Sequence, residues 1–180
     1  MLSPVGSKQP LERVELEEGL VAYRCPETGG HWIPAQNYWK WQQSRPPVVE
    51  NGVVENGVQL TSEFDDELKL CPESQTFMSR YRVGHGLNFR VERSVTGGVW
   101  LDGGEWEALR QGNLHRSLHK VFTAPWQQAV RDEESSKACD ETLSGKLGED
   151  LLGRINALRS ELAGHPARAE VLAYLQLEDR

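Results

Sequence analysis

The chain has 180 residues, a formal net charge of −7 at pH 7 and 38% hydrophobic residues. This size fits one domain or two small ones, and the acidity argues against indiscriminate binding of nucleic acid. No apolar run approaches the roughly 20 residues that span a bilayer, and the N-terminus lacks the layout of a secretion signal.

Cysteine usage points to a reducing compartment. Only Cys25, Cys71 and Cys139 are present, an odd number with wide spacing, which does not make a disulfide framework. We therefore expect a cytoplasmic protein without a membrane segment, and the sequence leaves its oligomeric state open.

Residues 1–43 are predicted to form a first small unit. Rough apolar alternation between Leu11 and Arg24 indicates two short strands around a turn at Glu18-Gly19. A Cys-Pro-Glu-Thr-Gly-Gly turn follows at 25–30. Pro34 suits the first turn of a helix that runs to about Gln43, because its fixed φ fits that position.

That helix is crowded with aromatic residues. Tyr38, Trp39 and Trp41 offer more apolar surface than one helical stripe can bury. We predict that these three residues form a contact surface for another protein.

Residues 44–67 are predicted to be an acidic linker. Pro46-Pro47 ends the helix, since neither residue can donate a backbone hydrogen bond. A duplicated Val-Val-Glu-Asn-Gly at 48–57 carries two hairpin signals, but the strands between them would be too short to stand alone. The carboxylates Asp65, Asp66 and Glu67 are interpreted as a solvated run.

Residues 68–112 repeat the first unit. Without a gap, Thr96-Gly97-Gly98-Val99-Trp100-Leu101 aligns with Thr28-Gly29-Gly30-His31-Trp32-Ile33 at an offset of 68. Alternation over 75–82 and 87–94, around Gly84-His85-Gly86, predicts a hairpin that buries Phe77 and Phe89. Asp102 and Glu105 form a capping-box-like pair at the start of the following helix.

Residues 113–180 are predicted to be helical. The cleanest stripe with a period of 3.6 residues is Leu147, Leu151, Leu152, Ile155, Leu158 and Leu162. Gly164-His165 ends that helix, and Pro166 begins a last one with Val171, Leu172 and Leu175 facing inward. The two helices are expected to form an antiparallel hairpin.

The glycine-rich stretch Gly97-Gly98-Val99-Trp100-Leu101-Asp102-Gly103-Gly104-Glu105 resembles the bacterial zinc ribbons of the transcription-factor-IIB type. Residues 71–109 are similar to that family, and residues 3–41 look like a more worn copy. The resemblance implies an α+β fold of two tandem β-hairpin-plus-helix units, followed by the helical C-terminal hairpin. It covers less than half of the chain.

The resemblance also implies four zinc ligands in each unit. They fall on Ser3, Gly6, Cys25 and Thr28 in the first unit, and on Cys71, Ser74, Arg93 and Thr96 in the second. A structural zinc site needs four nitrogen or sulfur ligands. We therefore predict that neither unit holds zinc, that the chain has no cofactor, and that apolar packing replaces the metal.

No enzymatic activity is predicted. His115 and His119 are spaced i, i+4, but no third ligand lies nearby in sequence, so we interpret them as structural. The cysteines lack a partner pattern for catalysis. A zinc site pooled from Cys25, Cys71, His115 or His119 is the weakest alternative.

Two functions remain open from the sequence. The first is a non-catalytic adaptor, assembly factor or regulatory factor that binds another protein. The alternative is a nucleic-acid-associated transcription regulator, because aromatic residues interleave with arginines in the second hairpin. Its contacts would be Arg80, Arg82, Arg90 and Arg93.

Overall fold

Six antiparallel strands form one sheet whose order mirrors itself about its centre. The order is β1-β2-β3-β6-β5-β4, so each predicted unit supplies one half of the sheet. The strands are β1 (Glu12–Glu17), β2 (Leu20–Arg24), β3 (His31–Ile33), β4 (Ser79–Gly84), β5 (Leu87–Arg93) and β6 (Val99–Leu101). The computed structural model describes residues 1–46, 60 and 62–177, and the duplicated Val-Val-Glu-Asn-Gly therefore lies outside the described residues.

The two halves meet at the short central strands. Trp32 of β3 pairs directly with Trp100 of β6, and the flanking pairs are His31 with Leu101 and Ile33 with Val99. Because Trp32 and Trp100 are the aligned tryptophans of the repeat, the pairing is symmetric about them. A pseudo-two-fold axis therefore passes through this pair and relates one half of the sheet to the other.

Glycines next to these strands let the two tryptophans approach the opposite half. An added Cβ at Gly30 would lie 2.5 Å from Cζ2 of Trp100, and one at Gly98 would lie 2.4 Å from Cζ2 of Trp32. Both distances are far below a normal contact. The Gly-Gly pairs of the repeat are thus required for packing across the axis.

The sheet is covered on both faces. Strand alternation sends Ile33, Val91 and Val99 to the face with the main core, where the helices pack. Trp32 and Trp100 point to the other face, where they cluster with Val5, Cys25, Cys71 and Met78. The two turns that contain Cys25 and Cys71 therefore lie on one face of the sheet, and the helices lie on the other.

The first two helices lie close to the predicted places. α1 spans Ala35–Gln43 behind Pro34, and α2 spans Glu105–Gln111. A 3₁₀ turn at His115–Ser117 leads into α3 (Leu118–Val121), and three further helices follow: α4 (Ala124–Leu147), α5 (Glu149–Glu161) and α6 (Arg168–Leu175). The described chain is thus mixed α+β, as predicted. The predicted stripe from Leu147 to Leu162 was wrong as one helix, because Gly148, with φ +78°, separates α4 from α5.

Both predicted hairpins are present, but one buried residue was assigned wrongly. Phe89 of β5 is fully buried, as expected, whereas Phe77 lies before β4 and is 66% exposed. The bridge between Leu70 and Phe77 holds its backbone to the preceding turn and leaves the ring in solvent. No helix within the described residues is long and apolar enough to cross a membrane.

The chain divides into two compact units after Val130. Met1–Val130 contains the whole sheet, and Arg131–Arg180 contains the remainder of α4 with α5 and α6. The two repeats therefore share one unit with residues 113–130, while the repeat boundaries at 43 and 68 stay predictions.

The second unit buries few of its described side chains. Of its described residues, 131–177, Leu152 alone is fully buried. The sequence predicted Leu172 and Leu175 to face inward, and this was wrong: they are 45% and 60% exposed. α6 therefore leaves most of its apolar side uncovered.

Candidate functional site

The predicted aromatic contact surface on α1 is mostly core. Tyr38 and Trp41 are buried, so two of the three proposed contact residues are wrong. The Tyr38 hydroxyl donates to the carbonyl of Arg116 at 3.2 Å, and burial raises the pKa of Tyr38 to about 12. The ring of Trp41 packs edge-on against Trp106 of the other half.

Trp39 is the exception on this helix. It is 41% exposed, and its ring lies 5.0 Å from the ring of His119. The hollow beside it holds about 20 Å³, which is room for one water molecule and not for a small-molecule ligand. Trp39 could therefore contact the flat surface of another protein, but it does not line a pocket for a small molecule.

The arginines of the second hairpin are already engaged within the protein. Arg90 pairs with Asp66 at 2.7 Å, and Arg80 lies 3.8 Å from the same carboxylate. Arg93 points to the other face of the sheet, with its guanidinium 5.0 Å from the centre of the Phe122 ring. Arg82 also has a partner. The proposed nucleic-acid contacts are thus split between two faces, and two of them are partly neutralised.

Each half of the sheet retains one cysteine at the turns that the resemblance equates with zinc knuckles. In the first half, Cys25 lies beside Ser3 and Thr28, whose polar groups act to lower its pKa. In the second, Cys71 accepts the backbone N–H groups of Glu73 and Ser74, each at 3.4 Å, and Ser74 and Ser94 act in the same direction on its pKa. Hydroxyl groups thus stand where the family would have thiolates.

Burial and the neighbouring donors have opposite effects on the pKa of each thiol. Burial alone raises the pKa of Cys25 and of Cys71, but the hydroxyl and backbone donors outweigh it, so both pKa values are lowered. Both residues are fully buried. We therefore interpret them as parts of two packed turns that hold the chain together.

The strand register corrects the alignment of the second turn. Tyr23 pairs with Trp32, but Glu92, not Val91, pairs with Trp100, so β5 is offset by 69 residues and not by 68. The turn closed by Ser94 N–H and Gly98 C=O is one residue shorter than that closed by Cys25 N–H and Gly30 C=O. Ser94, and not Arg93, therefore takes the place of Cys25.

The donor set at these turns does not fit zinc. The second half offers one thiol, Cys71, and three hydroxyls from Ser74, Ser94 and Thr96, where zinc takes four nitrogen or sulfur ligands. The pooled alternative also fails, because His115 contacts Trp41 and Trp106 on the helix face while both cysteines lie on the opposite face.

A buried polar cluster, which the sequence analysis missed, lies beside the second turn. Lys69, Glu92, Asp102 and Glu105 are each at most 2% exposed, and we call these four residues with Asp65 the acidic cluster. The Lys69 ammonium donates to Glu92 Oε1 at 2.8 Å and to Asp102 Oδ2 at 2.9 Å.

Further donors fix Asp102 in place. Its Oδ1 accepts the indole N–H of Trp100 at 2.7 Å, and its Oδ2 accepts the Ser62 hydroxyl at 2.6 Å. Glu105 Oε2 accepts the Asp102 backbone N–H at 2.7 Å, which confirms one side of the predicted capping box. The Asp102 carboxylate itself does not cap α2, since it is used by the cluster.

Burial dominates the electrostatics of this cluster. It raises the pKa of Asp65, raises that of Glu92 to about 7, and raises that of Glu105 well above its usual range. Burial alone would lower the pKa of Lys69, but the charges of Glu92 and Asp102 outweigh it, so that pKa is raised. Lys69 is therefore a permanent cation among four carboxyl groups.

Sequence alone could have given only part of this cluster. Asp102 and Glu105 carried a signal, but they predicted a helix cap. Asp65 was interpreted as solvated, and this was wrong: it is partly buried, with Oδ1 shielded from solvent. The segment from Ser62 to Leu70 folds back onto β5 and the start of α2, a long-range contact that no local pattern indicates.

Exposed leucines distinguish the second unit. Leu147 at the end of α4 and Leu151 and Leu158 of α5 are each about 40% exposed. α6 and the turn after it add four further exposed residues: Leu172, Tyr174, Leu175 and Leu177. We call these seven residues the leucine surface. Contiguous apolar patches of more than a few hundred Å² on a monomer mark interaction sites.

Comparison with known proteins gives no evidence about the function of this chain. No protein-family model, no curated protein and no solved structure matches the chain.

Proposed function

We propose that the chain is a non-catalytic adaptor, assembly factor or regulatory factor that binds another protein. It consists of two metal-free zinc-ribbon-like repeats joined into one sheet, and a helical second unit that carries the partner contact. The leucine surface is the observation that carries this proposal. It replaces Tyr38 and Trp41, which the core uses.

The apolar content of the second unit supports this. A helix of the size of α5 draws most of its stability from packing of its apolar face, yet Leu151 and Leu158 remain about 40% exposed. Covering such side chains is worth about 25 cal/mol per Å² of apolar area. A partner that covers α5 and α6 would therefore stabilise the unit as it binds.

The alternative nucleic-acid function has less support. Binding to phosphates needs arginines that can leave their present partners, and Arg80 and Arg90 share Asp66. Steep weakening of binding with salt would mark that alternative.

The test is a tagged pull-down from the native host, divided into nuclease-treated and untreated halves and analysed by mass spectrometry. We expect a defined protein that survives nuclease, binds with weak salt dependence, and is lost in the double variant Leu151→Glu/Leu158→Glu. The double variant Gly153→Glu/Ser160→Glu is the control, because it adds the same two charges at the same spacing on the opposite, exposed side of α5.

Two results would overturn the proposal. A partner that vanishes with nuclease would move the function to the arginines of the second hairpin. A protein partner that binds the Leu151→Glu/Leu158→Glu variant as well as the unchanged chain would exclude the leucine surface, and Trp39→Ala would then be the next variant to examine.

A further inference from the structure

The acidic cluster contains carboxylate oxygens that no described donor reaches. Asp65 Oδ1, Glu92 Oε2 and Glu105 Oε1 are shielded from solvent and have no hydrogen-bond partner. Glu92 is 0% exposed and Glu105 is 1% exposed. An unpaired buried carboxylate oxygen is costly, so native proteins pair it or place a cation against it.

The donors that could have served these atoms are used elsewhere. Lys69 is committed to Glu92 Oε1 and Asp102 Oδ2, and the indole of Trp100 is committed to Asp102 Oδ1. The Ser62 hydroxyl also goes to Asp102. The unpaired oxygens therefore lie beside a network whose described donors are committed to Glu92 Oε1 and to the two oxygens of Asp102.

The geometry brings three carboxylates of the cluster together. Asp65, Asp102 and Glu105 each place one oxygen within 4.8 Å of the other two. Among the described residues, these three are the group close enough to share a metal ion. Glu105, which is almost fully buried and whose Oε1 has no hydrogen-bond partner, is a member of that group. Its side chain is held in place by its other oxygen, which accepts the Asp102 backbone N–H.

The positions of the donors leave room for a cation at this point. The Lys69 ammonium pairs with Glu92 and Asp102, and no described donor reaches Asp65 Oδ1 or Glu105 Oε1. Oxygen-only ligand sets suit hard divalent cations such as Ca²⁺ and Mg²⁺, and they suit zinc poorly.

We propose that Asp65, Asp102 and Glu105 form a binding site for a hard divalent cation. Asp65 belongs to the segment that folds back from Ser62 to Leu70, whereas Asp102 and Glu105 stand at the start of α2. The cation fastens that segment to the second half of the sheet. The site is separate from the two cysteine turns and from the leucine surface.

The test uses the full chain, first stripped with a chelator and then titrated separately with Ca²⁺, Mg²⁺ and Mn²⁺. Thermal unfolding and the stoichiometry of bound Mn²⁺ are measured. We expect a higher Tm with added cation and about one bound ion per chain. Glu105→Gln keeps an acceptor for the Asp102 N–H and removes the charge, so we expect binding to weaken by at least about tenfold.

Glu107→Gln is the matched control, because Glu107 is exposed on the same helix. It should bind the cation like the unchanged chain. If Glu105→Gln fails to fold, Asp65→Asn gives the same comparison from the partly buried segment. Absence of binding at millimolar cation, or unchanged binding in the folded Glu105 and Asp65 variants, would overturn the proposal and leave a proton shared between carboxyl groups as the cause of the unpaired oxygens.

Discussion

The two halves of the sheet have the same order of strands and helix, but they differ in the side chains that they bury. Each has three strands, a helix, a central tryptophan and one cysteine turn. The second half buries Lys69, Glu92, Asp102 and Glu105, whereas the symmetric positions in the first half carry Met1, Tyr23, Pro34 and Asn37. A repeat can thus keep its strand pairing while one copy gains a charged interior.

The remaining cysteines also differ between the halves. Cys25 lies in the second turn of its half and Cys71 in the first turn of its own, and each faces a serine in the opposite turn. Each half therefore places one thiol beside one serine, with the two residue types exchanged between the first and second turns.

The first prediction concerns the register of the second turn. The triple variant Ser74→Cys/Ser94→Cys/Thr96→Cys, together with Cys71, should bind about one Zn²⁺ per chain, since four thiolates would then converge. Binding to such a site is worth on the order of 10 kcal/mol. Competition with a colorimetric zinc chelator measures it.

The matched control replaces Ser94→Cys by Arg93→Cys. Because Arg93 points to the Phe122 face, this variant should compete far more weakly. Equal zinc affinity in the two variants would contradict the register described here.

The second prediction concerns the charged interior of the second half. Lys69→Met should lower the free energy of unfolding by about 3–5 kcal/mol, because it leaves buried Glu92 and Asp102 without their cation. Urea unfolding without added metal measures this, and adding Glu92→Gln should recover part of the loss. Lys40→Met, on the exposed face of α1, is the control and should change little.

The third prediction tests the symmetry of the central pair. Gly30→Ala and Gly98→Ala should each cost about 1–3 kcal/mol, because the new methyl group meets the tryptophan of the other half. Similar losses at both positions are expected from the pseudo-two-fold axis. Gly153→Ala, in α5 with nothing within 4 Å, should instead stabilise its helix by about 0.5–1 kcal/mol.

The fourth prediction concerns a polar-to-apolar difference at the axis, His31 against Val99. Burial lowers the pKa of His31 below 6.5, with opposing effects from Glu107 and Arg24. The unfolded chain therefore takes up the proton first, and the stability present above pH 6.5 falls as the pH drops toward the lowered value.

His31→Val should reduce that fall, by less than about 1 kcal/mol. Urea midpoints measured between pH 7 and 5 give the slope for both chains. His115 and His119 have lowered pKa values of the same sign, so some slope remains. An unchanged slope would show that His31 is not buried as a neutral ring.

The sequence determined the local elements because their signals are local. Apolar alternation gave β1 and β2, Pro34 gave the start of α1, and Glu105 gave the start of α2. The repeat also gave the equivalence of Trp32 and Trp100. The elements depend on residues within a few positions of one another, where backbone preference and periodicity act, and the equivalence depends only on comparing the sequence with itself.

Only the tertiary structure decided which residues meet. It joined two repeats into one sheet, buried Tyr38 and Trp41 against the other half, shifted the second turn from Arg93 to Ser94, and brought Asp65 beside Glu105. Each of these outcomes depends on contacts between distant segments. Local sequence cannot show these contacts, because the free energy of burying a side chain depends on which distant segments pack against it.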